Sequence, residues 1–294
     1  MKHVLGFLVG CAALFAVALG VGRLVGPVAA EPEDPAGHAM GADAVAATDH
    51  HDVGGLQASV DGYTLRLGTS APTVGRTPLR FTIAGPDGHA VTAYDEQHER
   101  DLHLIVVRRD LTGFQHVHPT LDTGTGEWAV AVDLTAGAWR VLADFAPAGA
   151  EPLVLGADLL VPGEFAPEPL GADRLDARVD DYDVTLGGSL AAGRETMLTA
   201  TVLRDGVPVT DLQPYLGAFG HLVSLRDGDL GYLHVHPDED SGPGPAISFH
   251  TEFPSAGRYR LFLDFRHGDV VRTAAFTVTV EDGAVGAERD GHEH

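Results

Sequence analysis

The feature that most constrains this chain is an internal repeat. Gly88–Thr92 (GHAVT) matches Gly206–Thr210 (GVPVT) at an offset of 118 residues, and the same offset carries His116–Pro119 (HVHP) onto His234–Pro237 (HVHP). Self-similarity at a fixed spacing indicates that one structural unit is used twice. The chain is therefore predicted to be a tandem duplication.

Each copy spans about 110 residues and consists of short β-rich runs separated by turn signals. Leu102–Val107 and Trp128–Leu134 are two such runs, and Asp205-Gly206 is one of the turn dipeptides. No helical period longer than two turns follows the N-terminal leader. The sequence predicts an all-β fold with two tandem immunoglobulin- or cupredoxin-like antiparallel β-sandwiches after an N-terminal hydrophobic leader helix.

Changes in composition divide the chain into six predicted segments. These are a signal peptide or membrane anchor (1–30), a flexible His-containing linker (31–54), a first β-sandwich domain (55–163), a linker (164–173), a second β-sandwich domain (174–281) and a flexible tail (282–294).

The leader predicts export. Val4–Gly22 is uncharged and mostly apolar, and it is preceded by Lys2, a pattern typical of a signal peptide or a short membrane-spanning helix. Val28–Ala30 resembles a cleavage site, whereas the apolar run is longer than that of a typical signal peptide. The expected location is extracytoplasmic, either anchored in the membrane by the N-terminal helix or secreted after cleavage.

Composition excludes several function classes. The 42 Asp and Glu against 19 Lys and Arg give a net charge of −23, which would repel nucleic acid. The one cysteine, Cys11, lies in the leader, so the folded part can form neither a disulfide nor a thiolate metal site. Any metal there must use nitrogen and oxygen ligands, and the chain contains 16 histidines.

Six of these histidines recur at equivalent positions of the two copies. In a hairpin that pairs His103 with His118, Ile105 faces His116, and the three imidazoles project from one sheet face. Residues opposed or diagonal across two strands are close enough for their imidazoles to bridge one ion. The second copy repeats this spacing. The predicted metal ligands are His103, His116, His118, His221, His234 and His236.

Neutral imidazole is a good ligand for copper, zinc or nickel, so binding is expected to weaken as the pH falls below about 6.5. Asp144 and Asp264 occupy matching positions and are predicted as additional ligands or as carboxylates that support the ligands. The alternative for this pair is that each Asp satisfies a turn. The alternative for the histidines is a structural role, in which they hydrogen-bond to backbone.

Other residues are expected to be structural. Histidines without a counterpart in the other copy are predicted to be surface or local structural residues: His89, His98, His250 and His267. Matching aromatic residues are predicted to lie in the core or at the corners of the sandwiches: Phe114 and Tyr232, Trp139 and Tyr259, and Phe145 and Phe265.

With its leader, its His-rich linker and the segments DLHLIVV, FQHVHP, GHLVSLR and YLHVHP, the chain resembles exported bacterial heavy-metal-binding proteins. Their sandwiches are similar to YtkA-like and copper-resistance (CopC-like) domains, and the resemblance covers about residues 55–281. It implies extracytoplasmic copper handling by the six histidines named above. Met40 and Met197 are the only methionines beyond the initiator, which favours a histidine site for copper(II) or zinc over a thioether site for copper(I).

The leading hypothesis is a non-enzymatic metal-binding protein, for copper more than for zinc, that acts in metal buffering, delivery or resistance. Its expected partners are the metal ion and a membrane metal transporter or another exported metal carrier. One alternative is a tandem immunoglobulin-like interaction or stalk module with structural histidines. A further alternative is a His-ligated metalloenzyme with an open coordination position, although no candidate general base repeats convincingly.

Overall fold

The computed structural model of the protein describes residues 53–68, 72–233, 235–238 and 240–283. The predicted leader, most of the N-terminal linker, nearly all of the C-terminal tail and His234 lie outside the described residues. No helix in the described ranges is long and apolar enough to cross a bilayer.

Among the described residues, the first half of the fold contains ten strands: β1 (Ser59–Val60), β2 (Tyr63–Leu67), β3 (Gly75–Ala84), β4 (Tyr94–Asp95), β5 (Leu102–Arg108), β6 (Gln115–Val117), β7 (Thr120–Asp122), β8 (Glu127–Leu134), β9 (Gly137–Pro147) and β10 (Leu153–Val161). The described part of the second half contains ten more: β11 (Asp176–Val179), β12 (Tyr182–Gly188), β13 (Glu195–Arg204), β14 (Val207–Pro208), β15 (Gly220–Arg226), β16 (Tyr232–Leu233), β17 (His236–Pro237), β18 (Ala246–Glu252), β19 (Gly257–His267) and β20 (Val270–Val280).

The two halves have the same topology. In the first half the sheets have the orders β1-β2-β3-β8-β7 and β10-β9-β5-β6, and in the second half β11-β12-β13-β18-β17 and β16-β15-β19-β20. All paired strands named here are antiparallel, and each half is a sandwich of two sheets. The predicted all-β fold with two tandem immunoglobulin-like sandwiches is confirmed.

Local sequence explains these strands. In β3 the buried Leu79, Phe81 and Ile83 alternate with more exposed neighbours, as expected for a strand with one face in a core. The dipeptide Asp205-Gly206 has φ values of 48° and 78°, and it joins β13 to β14 as a two-residue hairpin turn. Two successive positive φ angles are the backbone requirement of the type I′ turn, which Asp-Gly meets readily.

β5 is buried on both of its faces. Leu104 and Val106 lie in the apolar core of the first sandwich, whereas Ile105 and Val107 lie in a separate apolar cluster. That second cluster also contains residues of the other half, including Phe262. The outer faces of the β5 and β15 sheets therefore pack against each other, and the two halves share a core.

The aromatic residues divide between these cores. Trp139, Tyr259, Phe145 and Phe265 are buried inside the sandwiches, as predicted. Phe114 instead stacks on Phe262 of the second half, with ring centroids 3.9 Å apart, and Tyr232 belongs to the cluster between the halves. The expectation of a sandwich core position for Phe114 and Tyr232 was wrong, because they lie on the outer sheet faces that the other half covers.

Candidate metal centre

The first histidine set is brought together by two neighbouring strands, β5 and β6, and by the residue that follows β6. β5 carries His103 and β6 carries His116, and Ile105 pairs with His116 in the predicted register. His118 follows one residue after β6. Because residues opposed across a ladder project to the same side, His103 and His116 share the sheet face that looks towards the second half.

The ligand nitrogens of this set converge. His103 Nδ1 lies 3.0 Å from His116 Nε2 and 3.3 Å from His118 Nε2. One nitrogen from each of the three rings falls within 4.8 Å of the other two. The predicted clustering of His103, His116 and His118 is thus present in the structure, and we call these three residues the histidine triad.

The remaining nitrogens of two triad rings are held by hydrogen bonds. His103 Nε2–H donates to the carbonyl oxygen of Gln97 at 2.9 Å, and His116 Nδ1–H donates to Asp264 Oδ2 at 2.8 Å. A carbonyl or carboxylate oxygen can only accept, so each ring carries its proton on the outer nitrogen. This arrangement is typical of metal-binding histidines, whose second nitrogen is oriented by an acceptor.

The consequence is a concentration of lone pairs. The lone pairs of His103 Nδ1 and His116 Nε2 point at each other over a distance of 3.0 Å. Two hydrogen-bond acceptors this close repel each other unless a positive charge lies between them. A shared proton is one such charge, and a metal ion bound by both nitrogens is the other.

The geometry matches a tetrahedral ion. Three nitrogens bound at about 2.0–2.1 Å to one tetrahedral ion stand roughly 3.3 Å apart, with ring centroids roughly 5 Å apart. The triad centroids are 5.3, 5.0 and 4.9 Å apart, and His103 Nδ1 lies 3.0 and 3.3 Å from the Nε2 atoms of His116 and His118. A small adjustment of the side chains would place all three on one ion.

Burial disfavours the charged forms of His103 and His118. It is the main cause that lowers the pKa of His103 to about 4 and of His118 to about 3, and the neighbouring histidines lower both further. The expectation that binding weakens below about pH 6.5 used the ordinary histidine pKa. The structure moves that limit downward for these two rings, because their charged forms are desolvated.

The second histidine set is described only in part. His221 lies on β15, and its Nε2–H donates to the carbonyl oxygen of Tyr215 at 2.7 Å, as His103 does to Gln97. Burial lowers the pKa of His221 to about 4. His234 lies outside the described residues, and of His236 only the backbone is described, which pairs with His250 of β18.

The two predicted carboxylates reach across to the opposite half. Asp264 accepts from His116 of the first half, and its other oxygen accepts from Thr273 at 2.5 Å. Asp144 accepts at 2.8 Å from the Tyr232 hydroxyl of the second half. Both aspartates are at most 5% exposed. Asp264 thus accepts a hydrogen bond from a predicted metal ligand, but from a histidine of the other half.

His98 joins the cluster, although the sequence indicated only a surface or local role. Its ring centroid lies 6.1 Å from that of His103 and 5.6 Å from that of His221. It lies in the tight turn between Gln97 and Arg100, where its φ is 48°. The sequence signal for this position was that His98 lies only five residues before His103. Its contact with His221 could not be predicted, because it depends on the packing of the two halves.

The other unmatched histidines lie in local structural settings. His89 is exposed, His250 Nδ1 lies 3.4 Å from a carboxylate oxygen of Glu195, and His267 contacts the hydroxyl of Tyr182 at 2.6 Å. A cleft beside the interface is lined by His98 and His250 together with acidic residues: Asp144, Glu151, Glu195 and Glu252.

Fold and site together define a class: a tandem immunoglobulin-like β-sandwich protein with a histidine triad at the contact between its halves. A family model described as "Domain of unknown function (DUF8832)" matches residues 58–154 and again residues 177–282. The two matches cover more than half of the chain, so the chain belongs to this family. The double match also agrees with the internal repeat.

Several solved structures are distantly similar to the chain. None of the curated proteins matches the chain. A DUF4426 family protein from Pseudomonas aeruginosa PAO1 is 9% identical, with a TM-score of 0.29 over 37% of this chain and 97% of that one. The Escherichia coli adhesin FdeC is 17% identical, with a TM-score of 0.25 over 76% of this chain and 65% of that one. A putative membrane anchored protein from Corynebacterium diphtheriae is 11% identical, with a TM-score of 0.21 over 75% of this chain and 58% of that one.

Proposed function

We propose that this protein binds a transition-metal ion through His103, His116 and His118. The observation that carries the proposal is the convergence of three imidazole nitrogens, two of them on rings whose outer N–H groups are held by Gln97 and Asp264. Packing alone gives no reason to direct lone pairs at one another inside a buried interface.

The donor set selects the class of metal. Three imidazoles without a thiolate or thioether suit copper(II) or zinc and leave a coordination position for water or a fourth ligand. In sites of this type copper(II) binds more tightly than zinc. Copper(II) is therefore the preferred cargo, and zinc is the second.

The cellular role follows from the leader and the resemblance to exported heavy-metal-binding proteins. We place the protein outside the cytoplasmic membrane, anchored by its N-terminal segment or released after cleavage, where it buffers metal or delivers it to a membrane transporter or another exported carrier. The acidic surface supports this role, because a net charge of −23 concentrates cations near the protein.

The test is the metal content of the full-length chain, purified without an affinity tag, loaded with copper(II) or zinc and dialysed. The proposal predicts that the His116→Ala/His118→Ala double variant retains one ion per chain fewer than the parent protein. The matched control is His89→Ala, which removes an exposed histidine and should leave the metal content unchanged. Equal metal content in the parent and the double variant would overturn the proposal.

A second candidate is supported by the fold: a rigid pair of immunoglobulin-like sandwiches that acts as an interaction or stalk module. The observation in its favour is that His116 hydrogen-bonds Asp264 across the halves, and the halves share an apolar core. On this account His116→Ala/His118→Ala lowers the thermal stability of the metal-free protein and changes no metal binding. Measuring both quantities on the same variants separates the two functions.

A further inference from the structure

The triad is assembled from the first half alone, yet one of its rings is oriented by the second half. Asp264 lies on β19 and accepts the His116 Nδ1 proton at 2.8 Å. The side chains of both residues are 5% exposed, so water does not substitute freely for this contact. Thr273 on the neighbouring strand donates to the second oxygen of Asp264 and fixes the carboxylate.

The apolar contact between the halves holds this geometry. Phe114 lies two residues before His116 and stacks on Phe262, which lies two residues before Asp264. Phe114 immediately precedes β6 and Phe262 lies in β19, so the stacked rings and the His116–Asp264 pair are neighbouring contacts between the same two segments. Separation of the halves would break both contacts together.

We infer that the second half completes the metal site of the first half through Asp264, so that metal binding and docking of the two halves are thermodynamically coupled. This inference rests on the proposed metal binding and states what regulates it, namely the docking of the two halves. Coupling is reciprocal: if docking raises metal affinity, bound metal stabilises docking by the same factor. Asp264 is a positioning residue, because it acts on the metal through His116.

The first test compares copper(II) and zinc affinities, measured by chelator competition, for the full-length parent, Asp264→Asn and Tyr232→Phe. Asp264→Asn leaves an oxygen that can accept from His116 but removes the negative charge that makes the imidazole a stronger ligand. Loss of such a supporting carboxylate lowers metal affinity about 10- to 100-fold, and this is the loss expected. Tyr232→Phe is the matched control, because it removes the hydrogen bond to Asp144 across the same interface without touching the triad. Its affinity should stay within about threefold of the parent.

Two further measurements distinguish a positioning role of Asp264 from a general loss of protein structure in the variant. In the electron paramagnetic resonance spectrum of bound copper(II), Asp264→Asn should change the nitrogen coupling while Tyr232→Phe leaves it as in the parent. Hydrogen exchange should show that metal slows exchange in β15 and β19 of the parent, although the triad belongs to the first half. That protection should shrink in Asp264→Asn.

The outcomes distinguish this inference from the function on which it rests. If the triad of the parent protein binds no metal, the proposed function fails. If the parent binds metal, but Asp264→Asn matches Tyr232→Phe in affinity and spectrum, and metal does not slow exchange in the second half, the coupling is refuted and the metal site stands.

Discussion

Single backbone carbonyl groups orient the buried histidines. His103 and His221 each donate from Nε2 to the carbonyl oxygen of the residue six positions earlier, Gln97 and Tyr215. The contact repeats although these two residues differ in type, because any residue supplies the same carbonyl. Sequence comparison of the two copies therefore could not reveal it, whereas the recurring histidines were visible in the sequence.

The buried histidines predict a pH-dependent stability of the metal-free protein. Unfolded histidine takes up a proton near pH 6.5, whereas burial lowers the folded-state pKa of His103 and His221 to about 4 and of His118 to about 3. Below pH 6.5 the unfolded chain binds more protons than the folded one, so stability is full above 6.5 and falls as the pH drops towards 4. His103 alone contributes roughly 3 kcal/mol to this loss.

Urea unfolding in the presence of a chelator at pH 7.5, 6 and 5 measures this dependence. The comparison is His103→Gln, whose side chain has no proton to gain in this range. Its free energy of unfolding should change less between pH 7.5 and 5 than that of the parent. Identical pH slopes for the two proteins would contradict the assigned burial of His103.

At the scale of strands, the sequence predicted the hairpin but not what covers it. Side-chain alternation placed Ile105 opposite His116, and this pairing is observed. The apolar run Leu104–Val107 and the mostly apolar run Leu222–Leu225 were signals of strands buried on both faces, which a pair of separate sandwiches does not explain. Strand patterns indicate that a second face is covered, but not by which part of the chain.

Because the strands share a core, substitution of Phe262 should destabilise the whole molecule. Phe262 is 4% exposed and stacks on Phe114, so Phe262→Ala should lower the free energy of unfolding by about 3–5 kcal/mol. The control is Val270→Ala at a position that is 47% exposed, which should stay within about 0.5 kcal/mol. If Phe262→Ala costs no more than this control in urea unfolding, the halves do not share a core.

At the scale of the whole molecule, duplication produced two similar faces that pack on each other. His116 of the first half meets Asp264, and Tyr232 of the second half meets Asp144. The sequence predicted both aspartates as ligands or supporting carboxylates because they occupy matching positions of the two copies. In the structure Asp144 pairs with His103 and Asp264 with His221 across neighbouring strands. The contacts between the halves depend on how the halves dock. The spacing of residues within one copy carries no information about this docking.

Metal addition should stabilise the whole molecule through the triad. A ligand that binds only the folded state, at about 100 times its dissociation constant, raises the free energy of unfolding by about 2.7 kcal/mol. We expect this gain for the parent with zinc and its loss in His116→Ala/His118→Ala, as measured by urea unfolding with and without metal. An equal gain in both proteins would assign the stabilisation to sites outside the triad.

The most direct test of the account is the anomalous difference map of crystals grown with copper(II) or zinc, recorded at the absorption edge of the metal. The account predicts a peak about 2.0–2.1 Å from His103 Nδ1, His116 Nε2 and His118 Nε2, with Asp264 still bonded to His116. Well-ordered crystals that show no peak among these three nitrogens, or a metal bound only elsewhere, would contradict it.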